Sequence, residues 1–139
     1  MKKLLILGGA DIQVSAIKKA KEMGHFVITA DYLPNNPGHA YSDEYYNVST
    51  TDKESILELS KNLGIDGILA YASDPAAPTA AFVAEKLNLP TNPFEVVQIM
   101  SRKDLFRKFL HANGFKTPAS GSFYEYYAIQ TRTARRALQ

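Results

Sequence analysis

The hydrophobic and polar positions of this chain follow two alternating periods, which predict β-strands separated by α-helices. Leu4–Leu7 is a short apolar run, typical of a buried parallel strand. In residues 12–23 the apolar side chains recur every three or four positions, as on an amphipathic helix. The buried face predicted for this helix consists of Ile12, Ala16, Ile17, Ala20 and Met23.

The same alternation continues to about residue 114 and predicts the fold class. The further predicted elements are a strand centred on Val27 and Ile28, a short strand around Tyr46–Val48, a helix from Thr51 to a stop at Gly64, a strand over residues 65–72, a helix over residues 77–87, a short strand at Asn88–Asn92, a short helix opened by Pro93, and a last helix for which Ser101 and Asp104 form a capping box. Strands and helices in this order favour an α/β fold in a single domain. We expect a three-layer, Rossmann-like, doubly wound and mostly parallel sheet with helices on both faces.

Composition excludes several classes of protein without naming a partner. The 139 residues include 16 Lys and Arg against 14 Asp and Glu, and 45% are apolar. This balance is typical of a globular protein and predicts neither a nucleic-acid partner nor disorder. The absence of cysteine excludes disulfides and thiolate metal sites. The first apolar run is too short for a signal peptide or a membrane span, so we expect a soluble, cytoplasmic protein without a membrane partner.

Candidate site residues follow three of the predicted strands. The loops that begin at Gly8, Asp31 and Ser73 should converge, because ligands of doubly wound sheets bind outside the carboxyl ends of the strands. Gly8 and Gly9 allow close backbone approach, and the next helix offers unpaired N–H groups to an anion. Residues 11–13 do not supply the third glycine of the dinucleotide pattern. The turn is therefore interpreted either as an anion site or as a tight connection.

The other loop residues also leave two interpretations open. Asp31 lies about 20 residues after the glycines, where an acidic residue binds a ribose hydroxyl, but an aspartate also caps turns. Ser73, Asp74 and Thr79 surround a predicted helix start, which either holds a carboxylate or phosphate or is simply an N-cap. We expect His39 to face solvent. The chain has no Ser/His/Asp order and no metal-ligand spacing, so no catalytic and no metal residue is predicted.

Three segments together resemble a known domain. They are LLILGGADIQVSAIKKAKEMGHFVITAD, DGILAYASDPAAPTAAFVAEKLNLPTNP and SRKDLFRKFLHANGFKTP. In this order they are similar to the N-terminal, pre-ATP-grasp domain of ATP-grasp ligases, which opens glycinamide ribonucleotide synthetase, biotin carboxylase and the large chain of carbamoyl phosphate synthetase. The resemblance covers Lys2 to Pro118, and its most diagnostic part is the last helix, with Lys103, Gly114 and Pro118.

The resemblance implies a function and a site. ATP-grasp ligases activate a carboxylate as an acyl phosphate, which an amine attacks, and they use ATP and Mg²⁺. It further implies that Lys103 contacts the phosphates of ATP. The predicted substrate residues are Gly8, Gly9, Asp31, Ser73, Asp74 and Thr79, for a carboxylate, an amine or a phosphate.

The chain departs from the family after the matched region. Residues 1–118 are interpreted as the pre-ATP-grasp domain and residues 119–139 as a tail, with the ATP-grasp core absent. We therefore expect the isolated chain to be inactive and to bind neither ATP nor Mg²⁺ tightly. The alternative is a stand-alone Rossmann-like module for a nucleotide or small anion. Self-association through aromatic residues is a third possibility, which rests on Phe115, Phe123, Tyr124, Tyr126 and Tyr127.

Overall fold

Helices and strands alternate along the chain as the hydrophobic pattern predicts. A computed structural model describes residues 1–118. The elements are β1 (Lys3–Leu7), α1 (Asp11–Glu22), β2 (Phe26–Ala30), a 3₁₀ helix (Pro37–Tyr41), β3 (Glu44–Tyr46), α2 (Lys53–Leu63), β4 (Gly67–Leu69), α3 (Ala77–Lys86), α4 (Phe94–Ser101) and α5 (Lys103–Ala112). The predicted α/β class is confirmed.

The four described strands form one parallel sheet in the order β3-β2-β1-β4. Leu5 of β1 lies beside Ile28 of β2 on one side and Ile68 of β4 on the other. The chain builds the sheet outward from β1 through β2 to β3, and then crosses back to place β4 on the opposite side of β1. The strand order thus reverses between β1 and β4, and their carboxyl ends border the topological switch point where such sheets bind ligands.

The period-two pattern of β1 divides the core into two layers. Leu5 and Leu7 are fully buried on the face that α2 and α3 cover, together with Ile56 and Val83 of those helices. Ile6 is buried on the opposite face. Its partners in that smaller cluster are Ile17, Ala20 and Val27. Helices therefore cover both faces of the sheet, which is the three-layer arrangement that the sequence predicts.

Three of the predicted strands differ from the observed structure. The strand predicted over residues 65–72 is only the three-residue β4, Gly67–Leu69. β3 spans Glu44–Tyr46, two residues earlier than predicted, and pairs with the last three residues of β2. Residues 88–92 form no strand, so the prediction of a short strand there is wrong. Asn88 has a positive φ of 55°, a conformation that interrupts an extended chain directly after α3.

The predicted capping box at the last helix is also wrong. Ser101 is the final residue of α4, and its hydroxyl donates to the carbonyl of Val97 at 2.7 Å instead of capping the next helix. Arg102 is the N-cap residue of α5, and its guanidinium donates to the carboxylate of Asp104. Asp104 is therefore engaged by a neighbouring cation rather than by a backbone N–H of the preceding turn.

The Cα positions divide the chain into two compact units, Met1–Ser101 and Arg102–Gln139. The sheet and both core clusters lie in the first unit. In the second unit, α5 is followed by Gly114 with φ of 76°, as expected for a glycine that terminates a helix. No helix within residues 1–118 is long and apolar enough to cross a membrane.

Candidate functional site

The glycine turn after β1 is packed against the protein itself. Gly8 has a φ of 105°, which favours glycine, and its N–H donates to the carbonyl of Ala30 at 2.8 Å. A Cβ on Gly9 would lie only 2.3 Å from Cε1 of His39. The carbonyl of Gly9 accepts a hydrogen bond from the N–H of Gly38. The second glycine is therefore required by the 3₁₀ helix that packs on it.

Asp31 joins the first two loops, as their predicted convergence requires. Its side chain is buried, and Oδ2 accepts hydrogen bonds from the N–H of Gly9 at 2.9 Å and from the side-chain amide of Asn36 at 2.8 Å. Oδ1 accepts from the N–H of Leu33 at 3.0 Å. All three bonds are internal, and they match the turn-capping interpretation of this aspartate. A role for Asp31 in substrate binding stays a prediction.

His39 packs into the same turn rather than facing solvent as expected. Its ring is half-buried and lies 3.8 Å from the ring of Tyr45, centroid to centroid. Nε2 is 3.1 Å from the carbonyl of Leu33, and Nδ1 is 2.8 Å from the hydroxyl of Thr29. A carbonyl can only accept, so Nε2 carries a proton and donates to the carbonyl of Leu33. The imidazole thus fixes the loop after β2 onto the glycine turn.

Gln13 is the site residue that the sequence analysis missed. The predicted inward face of α1 is wrong at both ends, because Ile12 is 57% and Met23 63% exposed. Gln13 is buried instead, and its Nε2 donates to the carbonyl of Tyr71 at 2.9 Å. The side chain lies against Gly8. It therefore connects the loops after β1 and β4 across the switch point.

A signal for Gln13 is present in the sequence. Gln13, Ile17 and Ala20 are spaced by four and three positions, which is the spacing of one helix face. A polar side chain at the head of that row does not by itself predict burial. Only the carbonyl of Tyr71, 58 positions away, makes its burial favourable.

The loop after β4 contributes the third border of the crevice. Ala72 has a positive φ of 51°, and the carbonyl of Ser73 accepts from the N–H groups of Ala76 and Ala77. Asp74 is exposed and Ser73 is half-buried. Thr79 is buried, so the structure holds its side chain within the fold. The proposed substrate roles of these residues stay predictions.

The charged side chains in the loops at this end of the sheet are all negative. The three loops, residues 8–11, 31–41 and 70–76, contain no Lys or Arg. They contain the carboxyl groups of Asp11, Asp31 and Asp74, of which Asp11 and Asp74 are exposed. No side chain caps the N-terminus of α1. The bordering loops therefore carry negative charge, and the first turn of α1 adds backbone N–H donors that no N-cap side chain satisfies.

A separate groove of about 460 Å³ lies along the face of the sheet that α1 covers. Its lining is mostly apolar and includes Leu4, Ala20, Met23, Leu69 and Tyr71. His25 also borders it, and its Nδ1 is the one buried side-chain atom among the described residues that has no hydrogen-bond partner.

The predicted ATP contact lies in the second compact unit. Lys103 is the first residue of α5 and is exposed. Its contact with ATP phosphates stays a prediction. Phe115 is 60% exposed, whereas the other aromatic residues suggested for self-association lie outside the described residues.

Several solved structures share the fold of this chain. Phosphoribosylglycinamide synthetase from Anaerococcus prevotii is 22% identical with a TM-score of 0.78, over 96% of this chain and 34% of that one. N5-carboxyaminoimidazole ribonucleotide synthetase from Thermotoga maritima is 24% identical with a TM-score of 0.71, over 95% of this chain and 36% of that one. The biotin carboxylase domain of the Hydrogenobacter thermophilus 2-oxoglutarate carboxylase, in complex with MgADP and bicarbonate, is 18% identical with a TM-score of 0.70, over 97% of this chain and 32% of that one.

The chain has the pre-ATP-grasp fold. The resemblance drawn from the sequence is thus confirmed for the fold, which is what identities below 25% show. The chain spans about a third of the length of each of the three proteins. No protein-family model and no curated protein matches it.

Proposed function

We propose that this chain provides the substrate-pocket domain of an ATP-grasp ligase that joins a carboxylate to an amine. The observation that carries the proposal is the switch-point crevice, where Asp31 and Gln13 bring the loops after β1, β2 and β4 together. The same fold occurs in synthetases and carboxylases of known structure, and ligands of such sheets bind at this edge. We further infer that the protein works in the cytoplasm.

In this proposal the chain binds and orients one substrate and does not itself perform phosphoryl transfer. ATP, with Mg²⁺ neutralising its phosphates, supplies the energy by converting the carboxylate to an acyl phosphate. Lys103 would contact the phosphates from the first turn of α5, a role that suits an exposed ammonium group. The proposal assigns no magnesium ligand to residues 1–118.

A titration with MgATP, followed by ¹⁵N NMR and by ADP release, tests this function. We expect weak shifts confined to the first turn of α5 and no ADP release, because the chain spans about a third of the length of the ligases that share its fold. Lys103→Gln should abolish the shifts. Lys108→Gln, an exposed lysine of the same helix, is the matched control and should retain them. Sustained ADP release by the pure chain would contradict the proposal.

A stand-alone nucleotide module is the weaker alternative. The N–H of Gly9 is bound by the carboxylate of Asp31, so a phosphate would have to compete for it. In the same titration this alternative predicts shifts at residues 8–11 and 31–36 rather than in α5. A thermal-shift screen with NAD, NADP and AMP gives an independent measurement.

A further inference from the structure

Resting on that proposed function, we infer that the crevice binds the amine partner of the ligation and not a phosphate or carboxylate. We assign to Gln13 the role of accepting a hydrogen bond from that amine through Oε1. Gln13 stands where the G-x-G-x-x-G pattern, counted from Gly8, would have its third glycine. The chain thus has a functional side chain at a position that the dinucleotide pattern leaves empty.

The orientation of the Gln13 amide follows from its partner. The carbonyl of Tyr71 can only accept, so the group 2.9 Å away from it is the amide nitrogen, Nε2. Within the described residues, Oε1 is therefore the atom of the Gln13 amide that forms no hydrogen bond. It lies 3.3 Å from the position that a Cβ on Gly8 would occupy, directly over the glycine turn.

The side chain of Gln13 is almost completely buried beside the glycine turn. The residue is only 4% exposed. Among the residues that the structure describes, the single buried side-chain atom without a partner is Nδ1 of His25. Oε1 has no partner among those residues and is not fully buried, so it keeps some contact with solvent beside Gly8. An acceptor held rigidly in this way is suited to a ligand that carries N–H donors.

The charge of the bordering loops disfavours an anion as the ligand. A phosphate or carboxylate at the turn would compete with Asp31 for the N–H of Gly9 and would meet the exposed carboxylate of Asp11. The N-termini of α1 and α3 each contribute about +0.5 charge, which three aspartates in the bordering loops exceed. No lysine or arginine in those loops compensates them. A primary amine instead gains both a charge partner and hydrogen-bond acceptors.

Three small probes distinguish the ligand classes. Ethanolamine and glycolate share a hydroxyl-bearing two-carbon skeleton and differ in the charge at the other end, and ethyl phosphate represents phosphates. We expect ethanolamine to shift the amide signals of residues 8–13 and 71–74 in ¹⁵N NMR, with an affinity about fivefold higher than that of either anion. Equal or tighter binding of glycolate or ethyl phosphate at these amides would overturn the inference. The proposed function as a substrate-pocket domain would still hold in that case.

Two variants test the residues. Gln13→Met keeps the size of the side chain but removes both the Oε1 acceptor and the Nε2 donor to Tyr71, and should weaken ethanolamine binding about fivefold. Gln98→Met, the same change at an exposed position of α4, is the control and should have no effect. Asp11→Asn changes only an exposed residue and should weaken ethanolamine about threefold even if the Gln13 variant does not fold.

The remaining outcomes are equally decisive. Unchanged ethanolamine binding in a folded Gln13→Met protein would remove the assigned role of Gln13. If none of the three probes shifts the crevice amides, the crevice is not a substrate pocket, and both this inference and the proposed function fail.

Discussion

At the scale of single residues, the glycine turn is fixed by contacts that the protein makes with itself. The backbone of Gly9 does not lie in the left-handed region, so glycine is not needed there for its φ. It is needed because the imidazole of His39 occupies the space of a Cβ. The same histidine is held by Thr29 and by the carbonyl of Leu33. The need for glycine at position 9 and the position of the His39 ring therefore depend on the same contact.

Replacement of Gly9 by alanine should therefore reveal a coupling with His39. We expect Gly9→Ala to lower the free energy of unfolding by about 1–3 kcal/mol, because the new methyl group displaces the ring. In a His39→Ala background the same substitution should change the free energy of unfolding by less than about 0.5 kcal/mol. Urea unfolding of the four proteins measures the coupling. An equal cost in both backgrounds would show that the ring is not the obstacle.

At the scale of elements, α1 is tied to the sheet at its C-terminal end by Asp43. The carboxylate of Asp43 accepts a hydrogen bond from the N–H of Val27 in β2 at 2.7 Å and from the ammonium of Lys21 in α1. The hydrogen bond from Lys21 holds the pKa of Asp43 below its usual value of 3.8. Partial burial opposes this effect, and the N–H of Val27 adds to it.

This lowered pKa predicts how stability depends on pH. A carboxyl group whose pKa is lower in the folded state stabilises the protein above the unfolded pKa, and the contribution is lost as the pH falls through the folded value. Asp43→Asn should therefore be less stable than the wild type near about pH 6, by less than about 1 kcal/mol, and the difference should shrink near about pH 3. Urea unfolding at both pH values measures it.

Two lysine variants of α1 provide the control for Asp43. Lys21→Met should reproduce the loss at neutral pH, since it removes the same ion pair. Lys19→Met removes only the exposed pair with Glu22 and should leave the dependence attributed to Asp43 unchanged. A difference between wild type and Asp43→Asn that does not vary with pH would contradict this explanation.

At the scale of the whole molecule, the core and the candidate crevice both belong to the first compact unit. The two hydrophobic clusters, the sheet and the hydrogen bonds of Asp31 and Gln13 all lie within Met1–Ser101. We therefore expect a fragment of residues 1–101 to fold by itself.

The fragment prediction is checked by denaturation and by NMR. Residues 1–101 should unfold in one cooperative transition and keep the amide chemical shifts of β1, β2 and the glycine turn. Within residues 1–118, none of the hydrogen bonds of these segments involves a residue after Ser101. A fragment that lacks dispersed signals for Leu5, Ile6 and Gly9 would show that the first unit depends on the second.

Much of the fold was predictable because it depends on local periodicity. The strand at Leu4–Leu7 and the helix that ends at Gly64 are specified by the pattern of neighbouring residues. Strands, helices and a mostly parallel sheet could therefore be predicted from the sequence. Helix boundaries did not follow in the same way: Ser101, predicted to begin the last helix, is the final residue of α4 and donates to the carbonyl of Val97. The three loops of the candidate site were also predictable, since the carboxyl ends of parallel strands meet at one edge.

The sequence by itself therefore determined the order of elements and the edge of the sheet where a ligand would bind. Only the tertiary structure decided what Gln13, Asp31 and His39 do there. Each of these side chains can hydrogen-bond either to water or to the protein, and no local feature of the sequence distinguishes the two states. Their partners lie up to 58 positions away, at Tyr71 for Gln13, and come within reach only when β1, β2 and β4 have assembled.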